Sequence, residues 1–216
     1  MRREPVPLKP EEDNWLRLEW GLRSCETWKD GYSMYRCTAA NRSSTKQTLL
    51  DDLIKFWGYH DEDELPEKDN IRSTRYKYVF EDGTETEEEF TAKHAERNVK
   101  ALRLVQDAFK RGRANKLNRR YNYPEQFFEA LVAIDAMTIL CIDTMAEAND
   151  PRYRVYCKDQ CLLTNNMETV TCLLRGSRQH GIKIRGVAEQ NKHFCSLYPM
   201  DEQPNFAGAK AIGQFT

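Results

Sequence analysis

The sequence predicts a mainly α protein. It reads as one helical domain of about five helices over residues 11–181, with one small β-hairpin around 74–86. An N-terminal arm (1–10) and an irregular C-terminal arm (182–216) flank it. Three observations carry that reading. The longest apolar stretch, Asn122 to Asp150, has helix punctuation at both ends. Large apolar residues recur at spacings of three and four near the N-terminus. Strict alternation beside a tight turn is clear at one place only, Tyr76-Lys77-Tyr78-Val79-Phe80 before Asp82-Gly83.

In the long stretch Asn122 caps the start, with Glu125 as its reciprocal partner, and Pro124 fits the first turn. Asn149-Asp150-Pro151 ends it, because the residue before a proline resists the α conformation. The expected helix has roughly 25 residues and a length of about 37 Å. Glu125, Glu129, Asp143 and Glu147 share a stripe on its wheel, and Phe128, Leu131, Ile142 and Ala146 lie away from it. Asp135 breaks the apolar side. It reads either as an aspartate bonded to a hydroxyl, backbone N–H or arginine, or as a proton-handling carboxylate.

Upstream, Trp15, Leu18, Leu22, Cys25, Trp28, Tyr32 and Tyr35 form a helical stripe interrupted by Gly21 and Gly31, each costing about 1 kcal/mol relative to Ala. Ser44 and Gln47 box a helix over roughly 45–58, buried on Leu49, Leu53 and Phe56. Thr86, with Glu87, Glu88 and Glu89 in the first turn, starts a helix reaching about Leu117. Cys157 to His180 reads as helix with a fresh capping box at Asn165 and Glu168, and Gly181 reads as its C-cap. The arm beyond lacks periodicity.

The net charge is −1, so no global field selects nucleic acid or a membrane surface. Charge is segregated, with acidic runs at Asp61–Asp69 and Glu81–Glu89. Arg97 to Arg120 carries nine Lys or Arg against one acid, Asp107. Phosphate loops, nucleophile elbows and HExxH pairs are absent, so no catalytic residue, metal or cofactor is assigned. The N-terminus lacks a secretory h-region and is too acidic for an import presequence. Trp15, Trp28 and Tyr32 on the aromatic stripe, with Arg111, Arg113, Arg119 and Arg120, are read as partner-docking residues.

Seven cysteines leave three readings open: reduced thiols, a zinc site, and disulfides. Cys157, Cys161, Cys172 and His180, with His193 and Cys195 as further donors, are the zinc candidates. Cys25/Cys37 and Cys161/Cys172 are the disulfide candidates. Trp28 ahead of Arg36-Cys37, the Cys161/Cys172 pair with ten intervening residues, and Asp201-Glu202-Gln203 resemble the twin-cysteine CHCH family of the mitochondrial intermembrane space. The first pair departs from that pattern with eleven intervening residues, and more than a hundred separate the pairs. The resemblance implies two helices bridged as Cys25–Cys172 and Cys37–Cys161, an oxidising compartment and a mitochondrial respiratory-type complex.

The expected function is a non-catalytic structural or accessory subunit bound to other protein subunits. It is expected to lack a transmembrane segment and to be at most peripheral to a membrane; a cytoplasmic location is the alternative. Nucleic-acid binding through residues 97–123, with Lys116, Tyr121 and Tyr123 beside the arginines, is the competing class, disfavoured by the overall charge. A small zinc-binding protein is a further alternative.

Overall fold

The computed structural model describes residues 8–27, 31–42, 46–58, 75–110 and 124–202. Trp28, the run Asp61–Asp69 and Arg111, Arg113, Lys116, Arg119 and Arg120 lie outside these residues, as do Tyr121 and Tyr123. Helix α1 (Pro10–Trp15) passes into a π-helical turn (Leu16–Trp20) and strand β1 (Leu22–Cys25). Helices α2 (Ser33–Arg42) and α3 (Lys46–Phe56) follow, then a hairpin of β2 (Arg75–Phe80) and β3 (Glu85–Glu89). Next come α4 (Ala92–Lys110), α5 (Pro124–Asp135), and the meander β4 (Met137–Asp143), β5 (Tyr153–Cys157) and β6 (Gln160–Thr164). Helix α6 (Met167–Gln179) and strands β7 (Lys183–Gln190) and β8 (His193–Pro199) complete the chain described.

The fold is α/β, not mainly α with one hairpin. Eight strands form one mixed sheet in the order β1-β8-β7-β4-β5-β6-β2-β3. The meander pairs antiparallel, β7 returns parallel to β4, and β2 lies parallel to β6. The expected hairpin exists, but its returning strand takes Glu87–Glu89, which were expected to open a helix. Residues 182–199, expected as an irregular arm, supply β7 and β8 inside the sheet. Cys157–Thr164, expected as helix, forms the β5–β6 turn and β6; Lys158 and Asp159 make that turn, Asp159 with φ +63°.

The central correction lies in Asn122–Asp150. This stretch is not one helix: α5 stops at Asp135, Ala136 turns the chain with φ +48°, and Met137 starts β4. A buried strand and a buried helix share the same apolar run, so periodicity does not separate them. The β-branched residues Thr138, Ile139 and Ile142 favour the extended form. The stripe from Trp15 to Tyr35 also divides, with Gly21 (φ +62°) ending the π-turn before β1.

Alternation along β4 builds two cores. Met137, Ile139 and Cys141 pack with α2, α3, α4 and α5, alongside Phe127, Phe128, Tyr156 and Phe194. Leu140 and Ile142 pack the other way, with Leu16, Trp20, Val155, Val170, Leu174 and Leu197. On that second face α1 is fastened by Glu12, whose side chain is wholly buried. It accepts from Arg152 Nη2 and Tyr153 Oη, both at 2.8 Å, and from Lys9 N at 2.9 Å. Burial alone would raise this carboxyl; these bonds outweigh it and hold it below the usual range. On the first face Arg42 joins three helices. Its Nη2 donates to Asp52 at 2.8 Å and to Asp135 Oδ1 at 3.0 Å, and its Nε lies 2.6 Å from Asp135 Oδ2. Asp135 is thus an arginine-paired aspartate.

Leu140→Ala is expected to lower unfolding free energy by about 2–5 kcal/mol in urea titrations, because its site is closed on all sides. Ala136→Gly is expected to raise it by up to about 1 kcal/mol, since an L-residue pays for the left-handed turn that glycine adopts freely. A loss of stability in Ala136→Gly would contradict the helix-to-strand turn.

Candidate acidic site at the strand ends

β4 and β7 run parallel in register, so Asp143 and Glu189 sit side by side at their carboxyl ends. Arg154 of β5 pairs with Cys141, two positions from Asp143, and projects to the same face. Helix α5 feeds β4 through a one-residue turn, so it runs back over the sheet and brings Glu125 to these strand ends. Arg154 Nη1 donates to Glu125 Oε1 at 3.2 Å, and its Nη2 lies 3.9 Å from Asp143 Oδ2. One turn along α5, Glu129 accepts a short hydrogen bond from Tyr78 of β2. The Tyr78 hydroxyl also lies 3.4 Å from Oε2 of Glu88 on β3.

Burial dominates the protonation of the cluster, and its excess of negative groups adds to it. Burial pushes Glu189 up to about 7; Asp143 and Glu125 add to the rise, and Arg154 and Lys192 oppose it. Burial also lifts Glu129 to about 7, aided by Glu88 and Glu125 and opposed by the Tyr78 bond. Arg154 stays cationic: burial works against its charge, but the groups around it, including Glu189 and Glu125, more than offset that. The outer margin is β3, an end strand exposed at every position from Glu85 to Glu89. On its other face Lys77 and Arg75 partner Glu85 (2.5 Å) and Glu87 (3.9 Å).

Glu125, Glu129 and Asp143 were expected on one helical stripe facing water. They do come together, but across a helix–sheet interface; Glu147 lies in the following turn and is exposed. Arg154, Glu189, Tyr78 and Glu88 were missed as site residues. The available signal was charge inside alternating apolar runs, Tyr153-Arg154-Val155-Tyr156 and Val187-Ala188-Glu189.

The other expected sites separate. Tyr32 is buried in the first core, and Trp15 packs on the second with Nε1 donating to Thr171 Oγ1 at 2.9 Å, so both rings are used inside the fold. All seven cysteines are free. Cys25 is in β1, not a helix, and shares the α2 face with Ser196, whereas Cys172 is exposed on α6 across the sheet. Cys37 Sγ donates to the Phe194 carbonyl of β8 at 3.1 Å, and burial raises its thiol well above the ordinary range. Cys161 is on β6, with β7, β4 and β5 between, on the order of 19 Å away at ordinary strand spacing. A disulfide spans Cα atoms no more than about 7 Å apart. Neither bridge forms, and the helical, disulfide-bonded, mitochondrial respiratory-complex description loses its basis. Of the zinc candidates, Cys157 packs on one core and Cys161 on the other. Among the described residues no group of three or more His, Cys, Asp or Glu is placed to hold a metal ion, and no helix is long and apolar enough to cross a membrane. No protein-family model matches the chain, and no curated protein or solved structure matches it.

Between about pH 4.5 and 7 the folded chain keeps protons on Glu129 and Glu189 that the unfolded chain has lost, so stability falls as pH rises through that window. Each group accounts for on the order of 3 kcal/mol. In urea titrations from pH 4.5 to 8, Glu189→Gln is expected to lose about half as much stability as the parent. Parallel curves for the two would contradict the buried, raised Glu189.

Proposed function

We propose that the chain is a non-catalytic interaction subunit of a multiprotein assembly, docking a Lys- or Arg-rich extended segment of a partner protein on its acidic face. The observation that carries this reading is the row of carboxylates running from Glu189, Asp143 and Glu125 about Arg154 to Glu129 and Glu88 about Tyr78. Glu88, Glu125, Glu129, Asp143 and Glu189 share one face, and burial, with the neighbouring carboxylates adding to it, keeps protons on Glu129 and Glu189 to near neutrality. A partner's cations are attracted to these carboxylates, and the edge of β3, unpaired among the described residues, offers backbone N–H and C=O groups to an extended chain. The charge excess gives affinity that weakens with salt. The absence of recognisable nucleophile or cofactor motifs in the sequence agrees with a binding role.

A second reading has its own observation. The cluster lies at the carboxyl ends of two adjacent parallel strands, where open α/β sheets hold ligands, and Glu189 titrates near neutrality. That combination suits general acid–base chemistry on a cationic substrate.

Calorimetric titration of the full chain with a short alternating Lys/Val peptide tests the docking reading. Binding at pH 7 is expected to release protons, seen as a dependence of the measured heat on buffer ionisation enthalpy. Glu88→Gln is expected to weaken it about tenfold, the scale of one charge-assisted contact. Equal binding of a Ser/Val peptide, or no proton release, would contradict it.

A further inference from the structure

A carboxylate stands three residues after a hydroxyl at five threonines, Thr27, Thr48, Thr84, Thr86 and Thr144. Protein kinases discriminate substrates by such charge patterns, and a groove lined with cations selects acids that follow the hydroxyl. A hydroxyl is open to such an enzyme where it is exposed, unbonded and on an extended segment. Thr27 and Thr144 are 7% and 6% exposed, and their hydroxyls donate to the carbonyls of Phe194 (2.5 Å) and Glu189 (3.2 Å). Thr48 is in α3, where the backbone is committed to helical hydrogen bonds. Thr84 Oγ1 donates to Asp82 Oδ1 at 2.6 Å beside the hairpin turn. Of the five, Thr86 alone meets all three requirements.

Thr86 is exposed on β3, the end strand of the sheet. Its hydroxyl has no hydrogen-bond partner among the described residues. One edge of β3 is bonded to β2, and the other, unpaired among the described residues, presents extended backbone to a cleft. Glu85 precedes the hydroxyl and Glu87, Glu88 and Glu89 follow it, all of them exposed. Alternation sends Glu85 and Glu87 to the face of Lys77 and Arg75, and sends Glu88 to the face of Thr86. The Lys77–Glu85 and Arg75–Glu87 pairs are open to water, so their carboxylates exchange readily to the cations of an arriving groove.

We infer that Thr86 is a phosphorylation site for an acid-directed Ser/Thr protein kinase, and that phosphate there strengthens docking of a cationic partner segment. The second half rests on the docking function proposed for the acidic face; the first does not. Thr86 Oγ attacks the γ-phosphorus of a magnesium-bound nucleoside triphosphate held by the kinase. The Oγ–P bond forms as the bond to the β,γ-bridging oxygen breaks, the nucleoside diphosphate leaves, and the hydroxyl proton passes to a carboxylate of the kinase. The product carries about −1.5 to −2 charge at pH 7. Strand register sets where that charge stands. Thr86 pairs with Tyr78 and Glu88 with Tyr76, so the phosphate shares a face with Glu88, their Cα atoms about 7 Å apart at strand rise. The carboxylate row is thereby extended at its exposed outer end, and a partner's Lys or Arg gains the phosphate oxygens as acceptors.

The test incubates the folded full chain with magnesium ATP and a purified kinase selective for acids after the hydroxyl. Intact mass is expected to rise by one phosphate, and fragmentation to place it on Thr86. Thr86→Val, which keeps the shape and strand preference of the residue, is expected to abolish incorporation, and Thr84→Val to leave it. Glu89→Gln is expected to slow incorporation by about fivefold. Phosphate on Thr48 or Thr84 instead, or an unmodified folded chain beside a control acidic peptide driven to completion, would overturn the site. The phosphorylated and unmodified chains are then titrated with the alternating Lys/Val peptide. The phosphorylated form is expected to bind about fivefold to tenfold more tightly, by an increment that shrinks with salt. Equal affinity of the two forms would overturn the strengthening. Binding by neither form would overturn the docking function itself, and the phosphate on Thr86 would still support the site.

Discussion

The rest of the structure depends on the pairing of β4 with β7 and β5. β4 is hydrogen-bonded on both edges and apolar on both faces, with six of its seven residues buried. A parallel partner requires a long crossover, which here is the β5–β6 hairpin followed by α6. That crossover puts α6 on one face, and the Ala136 turn puts α5 on the other. Close packing then leaves no freedom at β7. A Cβ on Gly186 would meet Leu197 Cδ1 at 2.8 Å and the Leu140 carbonyl at 3.2 Å, so the glycine lets β7 settle between β4 and β8.

The electrostatics follow from the same pairing. In-register parallel strands place Asp143 beside Glu189 with no adjustment available to either backbone, and the return of α5 adds Glu125 and Glu129. Arg154 enters from β5 because the antiparallel register points it to that face. Burial raises Glu129 and Glu189 toward neutrality, and the neighbouring carboxylates add to the rise. The opposite end of β7 carries Lys183 and Arg185.

Local signals were legible in the sequence where side chains near in sequence do the work. The β2–β3 turn at Asp82-Gly83 and helix α3 on Leu49 and Leu53 occur where spacing predicts. Gly181 follows α6 with φ +71°, and Ile182 N closes on the Ser177 carbonyl at 2.9 Å. The helix-start signal before α6 was displaced by one residue: Asn166, not Asn165, accepts from Glu168 N and Thr169 N. The sheet itself was not legible. Its central strand is a continuous apolar run, which carries neither period, and the turn before it uses Ala136 where Gly or Asn would have marked a break. β7 and β8 were missed because their partners are distant in sequence and their turn, Asn191-Lys192, has no glycine although both residues have positive φ. The acidic residues of α5 were visible as a stripe. Their proximity to Glu189 and Arg154 was not, since it follows from strand pairing.

The measurement that bears most directly on this account is the set of interstrand nuclear Overhauser contacts between residues 137–143 and 183–189. The account requires Hα–HN contacts in the register that aligns Leu140 with Gly186 and Asp143 with Glu189, together with the absence of helical HN–HN contacts beyond Ala136. Sequential helical contacts running unbroken from Pro124 through Asp143 would contradict it, and would remove both the sheet's centre and the acidic site built on it.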